Sequence, residues 1–334
     1  MQNLRLISAS LAIAAAFVAF DFDRCLAAEA LRPEALRPIE VPGDRAFMES
    51  VTAGPDGTLY VSSVASGGIA RIKPNATKAE GWIAPAAFGS RSTFGVFADA
   101  KSNTLWMCSN DASGRGVLAP GSASGSHLKG FDLSTGDGKI SVPLPGESNL
   151  CNDMTVASDG TVYITNSLKP QILQLKPGAT ALEVWVENKQ FQPPSGIGLD
   201  GIAIGGDGNI YVNTFSAGDF FRIEVKDGKP GAVTKLETSR PLKLPDGLRL
   251  VSGRSFLMIE GGGSLDLVTV NDDKVVIGTI KDGLNEPTAV VKVGGTAFVT
   301  EGQLPHLFNP KENGPPRLPF QIVPVALGDL GTRG

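Results

Sequence analysis

One phrase recurs six times along this chain, and it restricts the fold more than any other feature. It consists of a polar residue, a short apolar strand, a Gly/Asp turn, and a second strand rich in Tyr, Val and Ile. The clearest copies are ESVTAGPDGTLYVSS from Glu49, NDMTVASDGTVYITN from Asn152 and DGIAIGGDGNIYVNT from Asp200. Weaker copies begin at Phe94 (FGVFADAKSNTLWMCS), Asp246 (DGLRLVSGRSFLMIE) and Glu286 (EPTAVVKVGGTAFVTE). Successive starts lie 45, 58, 48, 46 and 40 residues apart. Alternation between copies supplies two more strands per unit, such as Leu128–Leu133 with Lys139–Val142, and Leu307–Asn309 with Phe320–Leu327 in the last unit. Six units of four short strands predict an all-β chain, a six-bladed β-propeller with four antiparallel strands per blade. Arg37–Val41 is a further strand candidate for the final sheet.

Composition agrees. The 41 glycines and 23 prolines disfavour a helical bundle, and 42% apolar residues are too many for a disordered chain. A net charge of −4 with no basic run argues against nucleic-acid binding. Three cysteines and two histidines leave little material for a zinc site of the usual kind.

The first thirty residues read as an export signal. Arg5 precedes the apolar run Leu6–Phe20, which is 15 residues and shorter than the ~20 that span a bilayer. Ala28-Glu29-Ala30 offers a cleavage site, so residues 1–30 are read as a leader and 31–334 as one propeller domain. This places the chain in the periplasm or outside the cell, with no membrane span, as a monomer. In that oxidising setting Cys108 and Cys151 are open to two readings, a disulfide or two buried thiols.

In a propeller the first strand of each blade lines the central channel. The phrase-initial residues then form a ring at one channel end: Glu49, Phe94, Asn152, Asp200, Asp246 and Glu286. The Asp-Gly turns fall at the other end, where Asp56, Asp159 and Asp207 are turn residues. Four acids and an amide converge with no Lys or Arg at matching positions, and such a cluster repels itself unless a cation joins it. An acid that simply opens an inner strand would explain any one position, but four in register point to an ion. Oxygen-only donors suit a hard divalent ion, Ca²⁺ first, with Mg²⁺, Mn²⁺ or Zn²⁺ behind it.

The phrases around Glu49, Asn152, Asp200-Gly201 and Pro245-Asp246-Gly247 resemble those of the regucalcin/gluconolactonase family. The resemblance runs from about Ala46 to Val299 and implies a lactone-hydrolysing propeller with one central divalent metal. It implies Glu49 and Asp246 as ligands and Asn152 beside the ion. Asp200 stands where that family has Asn, so the metal set becomes Glu49, Asn152, Asp200 and Asp246. Where sugar-lactone members carry a hydroxyl-reading Arg, this chain has Leu150.

The loop Ser109–Ser126 is the longest within any blade and reads either as a lid or as a tolerated insertion. His127 ends it, and His306 follows the matching loop of blade six. The expected function is hydrolysis of lactones or related esters, with the ion polarising the carbonyl and Asp246 or Asp200 activating water. Asn152, Glu286, His127, Phe94 and His306 are the expected substrate contacts. Two other readings stand beside it: a non-catalytic ligand- or protein-binding propeller with a structural ion, and a strictosidine-synthase-like condensing enzyme.

Overall fold

The computed structural model describes residues 36–328. The expected leader and its cleavage point lie outside them. The described residues form six sheets, each built from consecutive strands apart from the closing one. The inner strands of the first five blades are Val51–Ala53, Ser92–Asp99, Cys151–Val156, Leu199–Ile204 and Pro245–Ser252, and that of the sixth is Pro287–Val293. These strands are buried on both faces at their starts, because each face packs against a neighbouring blade, as where Ile202 meets blade three and Ala203 blade five. Outer strands alternate instead, as in Lys274–Lys281, where one side faces solvent.

Ring closure uses the chain's own beginning. Ile39–Val41 pairs antiparallel with Phe320–Ala326 as the outermost strand of blade six, with Ile39 opposite Ile322 and Val41 opposite Phe320. The circle is thereby fastened by hydrogen bonds between residues nearly 300 positions apart. Blade six differs from the sequence expectation at Leu307–Asn309, which is not a strand. Leu304–Phe308 and Pro310–Asn313 are short helices, each with proline in its first turn. Pro305 and Pro310 cannot donate to a strand ladder but suit a helix start. Blade five carries one strand more than expected, Glu237–Thr238, which lies parallel to Lys274–Lys281.

Cys108 and Cys151 form a disulfide joining the second strand of blade two to the inner strand of blade three. The turn aspartates do what their sequence context suggests. Asp56, Asp159 and Asp207 each accept a hydrogen bond from the backbone N–H two residues on, at 3.0, 2.9 and 3.1 Å. Interblade packing is aromatic and aliphatic, as where Tyr163 and Trp185 of blade three meet Ile202, Ile210 and Phe221 of blade four.

Candidate functional site at the channel mouth

Five of the six inner strands break register at their phrase-initial residues. The shifts fall between Thr93 and Val96, Cys151 and Met154, Leu199 and Ile202, Pro245 and Leu248, and Pro287 and Ala289. A bulge re-aims side chains, and here it turns them into the channel. Glycine follows the key residue for a steric reason. A Cβ on Gly201 would stand 2.4 Å from the Asp246 carbonyl oxygen, and one on Gly95 2.2 Å from that of Asn152. Neighbouring inner strands therefore approach closest where the ring residues converge.

Buried polar side chains pin these bulges. Asn213 accepts from the Gly201 N–H at 2.9 Å and donates to the Asp246 carbonyl at 2.7 Å. The Thr165 hydroxyl donates to the Asp200 carbonyl at 2.7 Å. Asn110 exchanges two hydrogen bonds with the Cys151 backbone, at 3.0 and 2.8 Å. These supports sit at the end of the second strand of their blades, where the sequence reads TN, NT or, in blade two, SN.

All six phrase-initial residues line one cavity of about 330 Å³. Its floor holds Glu49, Asn152, Asp200 and Asp246, and Glu286 stands on its wall. Most of the rest is apolar, with Phe94, Leu150, Ile197, Phe215, Leu244, Leu304 and Phe308, but Arg115, Thr288 and Asn309 also line it. A larger hollow of about 990 Å³ opens at the turn end but lacks the converging carboxylates.

The floor is electrostatically tense. Burial pushes the Asp200 carboxyl up to about 7, while a hydrogen bond with Asp246 works the other way and the Asp153 charge adds to the rise. Burial holds Asp246 well above the usual carboxylate range, reinforced by Asp200 and Glu49. Glu49 is raised likewise, by burial and then by Asp200 and Asp153, with Arg249 opposing. Asn152 donates from Nδ2 to Ser167 Oγ at 2.8 Å and to Asp200 Oδ2 at 3.1 Å. Its Oδ1 and that of Asp200 are buried without a hydrogen-bond partner. Oxygen-only donors with orphaned lone pairs have the chemistry a hard cation needs. The side chains are neighbours rather than a closed cage: among the described residues, no group of three or more His, Cys, Asp and Glu forms a ready metal cluster.

One part of the electrostatics was missed in the sequence. Arg249 lies three residues beyond Asp246 on the same bulged strand and reaches across the channel to Asp153. Its two terminal nitrogens meet the two Asp153 oxygens at 2.6 and 2.9 Å, in a pair almost shut off from solvent. A cation therefore does stand beneath the acid ring. The signal was present, since Asp153 and Arg249 belong to the repeated phrase, but only the bulge brings them to the axis.

The rim differs in part from expectation. The blade-two loop is fastened rather than loose: Ala112, Val117 and Ala119 are buried, and Gly121 packs against the Ser90 carbonyl so closely that a Cβ would stand 1.9 Å from its oxygen. Asp111 pairs with Arg91 at 2.7 Å, and the loop places Arg115 at the cavity edge. His127 is not among the lining residues. It lies in the strand Ser126–Asp132 between Ser109 and Pro143, where burial and the Lys129 charge lower its pKa. His306 stands behind the wall, with Nε2 3.5 Å from Glu286 Oε2.

No protein-family model and no curated protein sequence matches this chain. Solved structures do. A gluconolactonase from Xanthomonas campestris superposes with a TM-score of 0.61 at 17% identity, over 82% of this chain and 89% of that one. A putative gluconolactonase from a structural genomics effort gives 0.61 at 14%, over 88% and 93%. A catalytically inactive variant of virginiamycin B lyase from Staphylococcus aureus, with quinupristin, gives 0.55 at 14%, over 79% and 94%. At such identities the likeness shows a shared β-propeller fold alone.

Proposed function

We propose that this protein hydrolyses lactones or related esters with the help of one divalent ion held by Glu49, Asp200 and Asp246, with Asn152 beside it. The observation that carries the reading is the buried floor, where three carboxylates and an amide share one largely apolar cavity and two oxygens lack partners. The gluconolactonase-like structural neighbours add support for the reaction class. Ca²⁺ suits the donors best, ahead of Mg²⁺, Mn²⁺ and Zn²⁺. When bound, the ion neutralises the floor and polarises an ester carbonyl.

The chain's own residues then have separate tasks. Asp246 takes the proton of an attacking water, with Asp200 as the adjoining carboxylate that shares its hydrogen bond. Asn152 is held by Ser167 and Asp200, which fixes its amide beside the carbonyl to be attacked. Phe94, Leu150, Ile197 and Phe215 exclude water and bind the apolar part of the substrate.

Leu150 occupies the place of a hydroxyl-reading Arg, so a polyhydroxylated ring finds few partners and burying its hydroxyls is costly. The preferred substrates are therefore less polar lactones or esters. The leader and the Cys108–Cys151 disulfide fit a periplasmic or secreted protein. No helix among the described residues is long and apolar enough to cross a membrane.

Calorimetric titration of chelator-treated protein with Ca²⁺, paired with turnover of an alkyl-substituted lactone and of gluconolactone, tests this. The expected result is one Ca²⁺ site, lost in Asp246→Ala, and faster hydrolysis of the alkyl lactone. Equal Ca²⁺ binding by the variant would remove the ion from this floor. Inactivity on every lactone and ester, with Ca²⁺ still bound, would favour a ligand-binding propeller.

A further inference from the structure

Glu286 is held in a conformation its residue type avoids. Its φ is +47°, in the left-handed region, and it precedes Pro287. Strain of this kind persists only where the surroundings impose it, and it collects at functional sites. The surroundings are visible. The Gln303 N–H donates to the Glu286 carbonyl at 3.2 Å. Gln303 is itself fixed through two hydrogen bonds with the Arg317 backbone, at 2.9 and 2.7 Å. The Glu286 side chain is thereby presented on the cavity wall, among Pro287, Leu304 and Phe308.

Its Oε2 is buried and accepts no hydrogen bond. His306 stands next to it, with Nε2 3.5 Å away. His306 is oriented in turn, since Nδ1 lies 3.1 Å from the Gly314 carbonyl and must carry a proton to donate to it. Nε2 therefore faces the carboxyl group. The imidazole side chain is 17% exposed, enough to exchange a proton with solvent.

We infer that Glu286 is the catalytic proton donor to the leaving alkoxide, with His306 as the positioning residue that recharges it. The role rests on the hydrolase reading above. As the tetrahedral adduct collapses, the bond from acyl carbon to ring oxygen breaks and its electron pair stays on that oxygen. The oxygen takes the proton of Glu286, and the resulting carboxylate regains one from His306 Nε2. His306 takes its replacement from solvent, while Asp246 returns to solvent the proton it took from water, so the cycle closes.

A proton donor matters in proportion to how poor the leaving group is. General acid catalysis contributes on the order of 10²-fold or more when an alkoxide leaves, and little when the leaving oxygen is already acidic. The test compares an alkyl lactone with a 4-nitrophenyl ester on wild type, Glu286→Gln and His306→Gln. The expected result for Glu286→Gln is a ~100-fold fall in kcat on the lactone with less than ~3-fold on the aryl ester. His306→Gln should fall about 10-fold on the lactone only, consistent with a donor that survives but reloads slowly. Because the readout is a ratio between two substrates, a variant that is partly unfolded does not mimic it. Equal losses on both substrates, or none, would overturn the role while leaving the hydrolase reading intact. A wild type inactive on both would overturn the hydrolase reading and this role with it.

Discussion

Removing the ion should make stability fall with rising pH, in the opposite sense to a protein stabilised by ionised carboxylates. The folded Asp200 carboxyl sits at about 7 against an ordinary 3.8. Between those values the folded state holds a proton that the unfolded chain has released. The associated stability is present in full below about pH 4 and is lost as pH rises through about 7. A displacement of about three units corresponds to roughly 4 kcal/mol. About 2.7 kcal/mol of it is lost between pH 5 and pH 8, which for a domain of this size is a Tm roughly 4 °C lower at pH 8 than at pH 5. Glu49 and Asp246 are raised too and push in the same direction.

The assay is thermal unfolding of chelator-treated protein across that range. It is repeated on Asp200→Asn and on wild type saturated with Ca²⁺. Asparagine cannot ionise, so the variant should show a shallower pH slope and be the more stable chelated protein at pH 8. Ca²⁺ at a hundred times its Kd should restore about 3 kcal/mol at pH 8, because it binds the ionised floor. A chelated protein whose Tm is flat or climbs from pH 5 to pH 8 would refute the reasoning. So would an Asp200→Asn slope identical to wild type.

Other expectations follow from the supporting structure. Arg249→Met strands the buried Asp153 carboxylate and should cost about 3 kcal/mol in urea unfolding. Adding Asp153→Leu should recover much of that loss, and if the double variant is worse than the single one, the pair does not act as described. Replacing Cys108 and Cys151 together by Ala should cost about 4 kcal/mol on a loop-entropy scale, since the bridge closes a loop of 43 residues. Unfolding midpoints measured under oxidising conditions check this, and unchanged midpoints would mean that the bridge does not form. Gly201→Ala drives a methyl into the Asp246 carbonyl, so it should lower both Tm and Ca²⁺ affinity.

How much of this was legible beforehand depends on which interactions are local. The repeat announced six blades, because a strand–turn–strand phrase such as Asp200–Thr214 carries its own turn chemistry at Asp207-Gly208. It also put Glu49, Asn152, Asp200 and Asp246 at one end of the channel, since the direction of each inner strand follows from its position in the phrase. Period-two alternation could not show the bulges that break that period, so Asp153 and Arg249 passed as ordinary strand residues. Leu307–Asn309 read as a strand because an apolar pair outweighed the flanking prolines. Closure by Ile39–Val41 was open because no local signal says which distant edge a short strand will meet.

Ester hydrolysis under metal control tests the central claim most directly. Initial rates on an alkyl lactone would be followed on addition of EDTA and then of excess Ca²⁺, with Asp246→Asn alongside. The account predicts turnover that EDTA abolishes and Ca²⁺ restores, with the variant at least ~100-fold slower at saturating Ca²⁺. Hydrolysis that proceeds undiminished in EDTA, or that survives intact in Asp246→Asn, would contradict it.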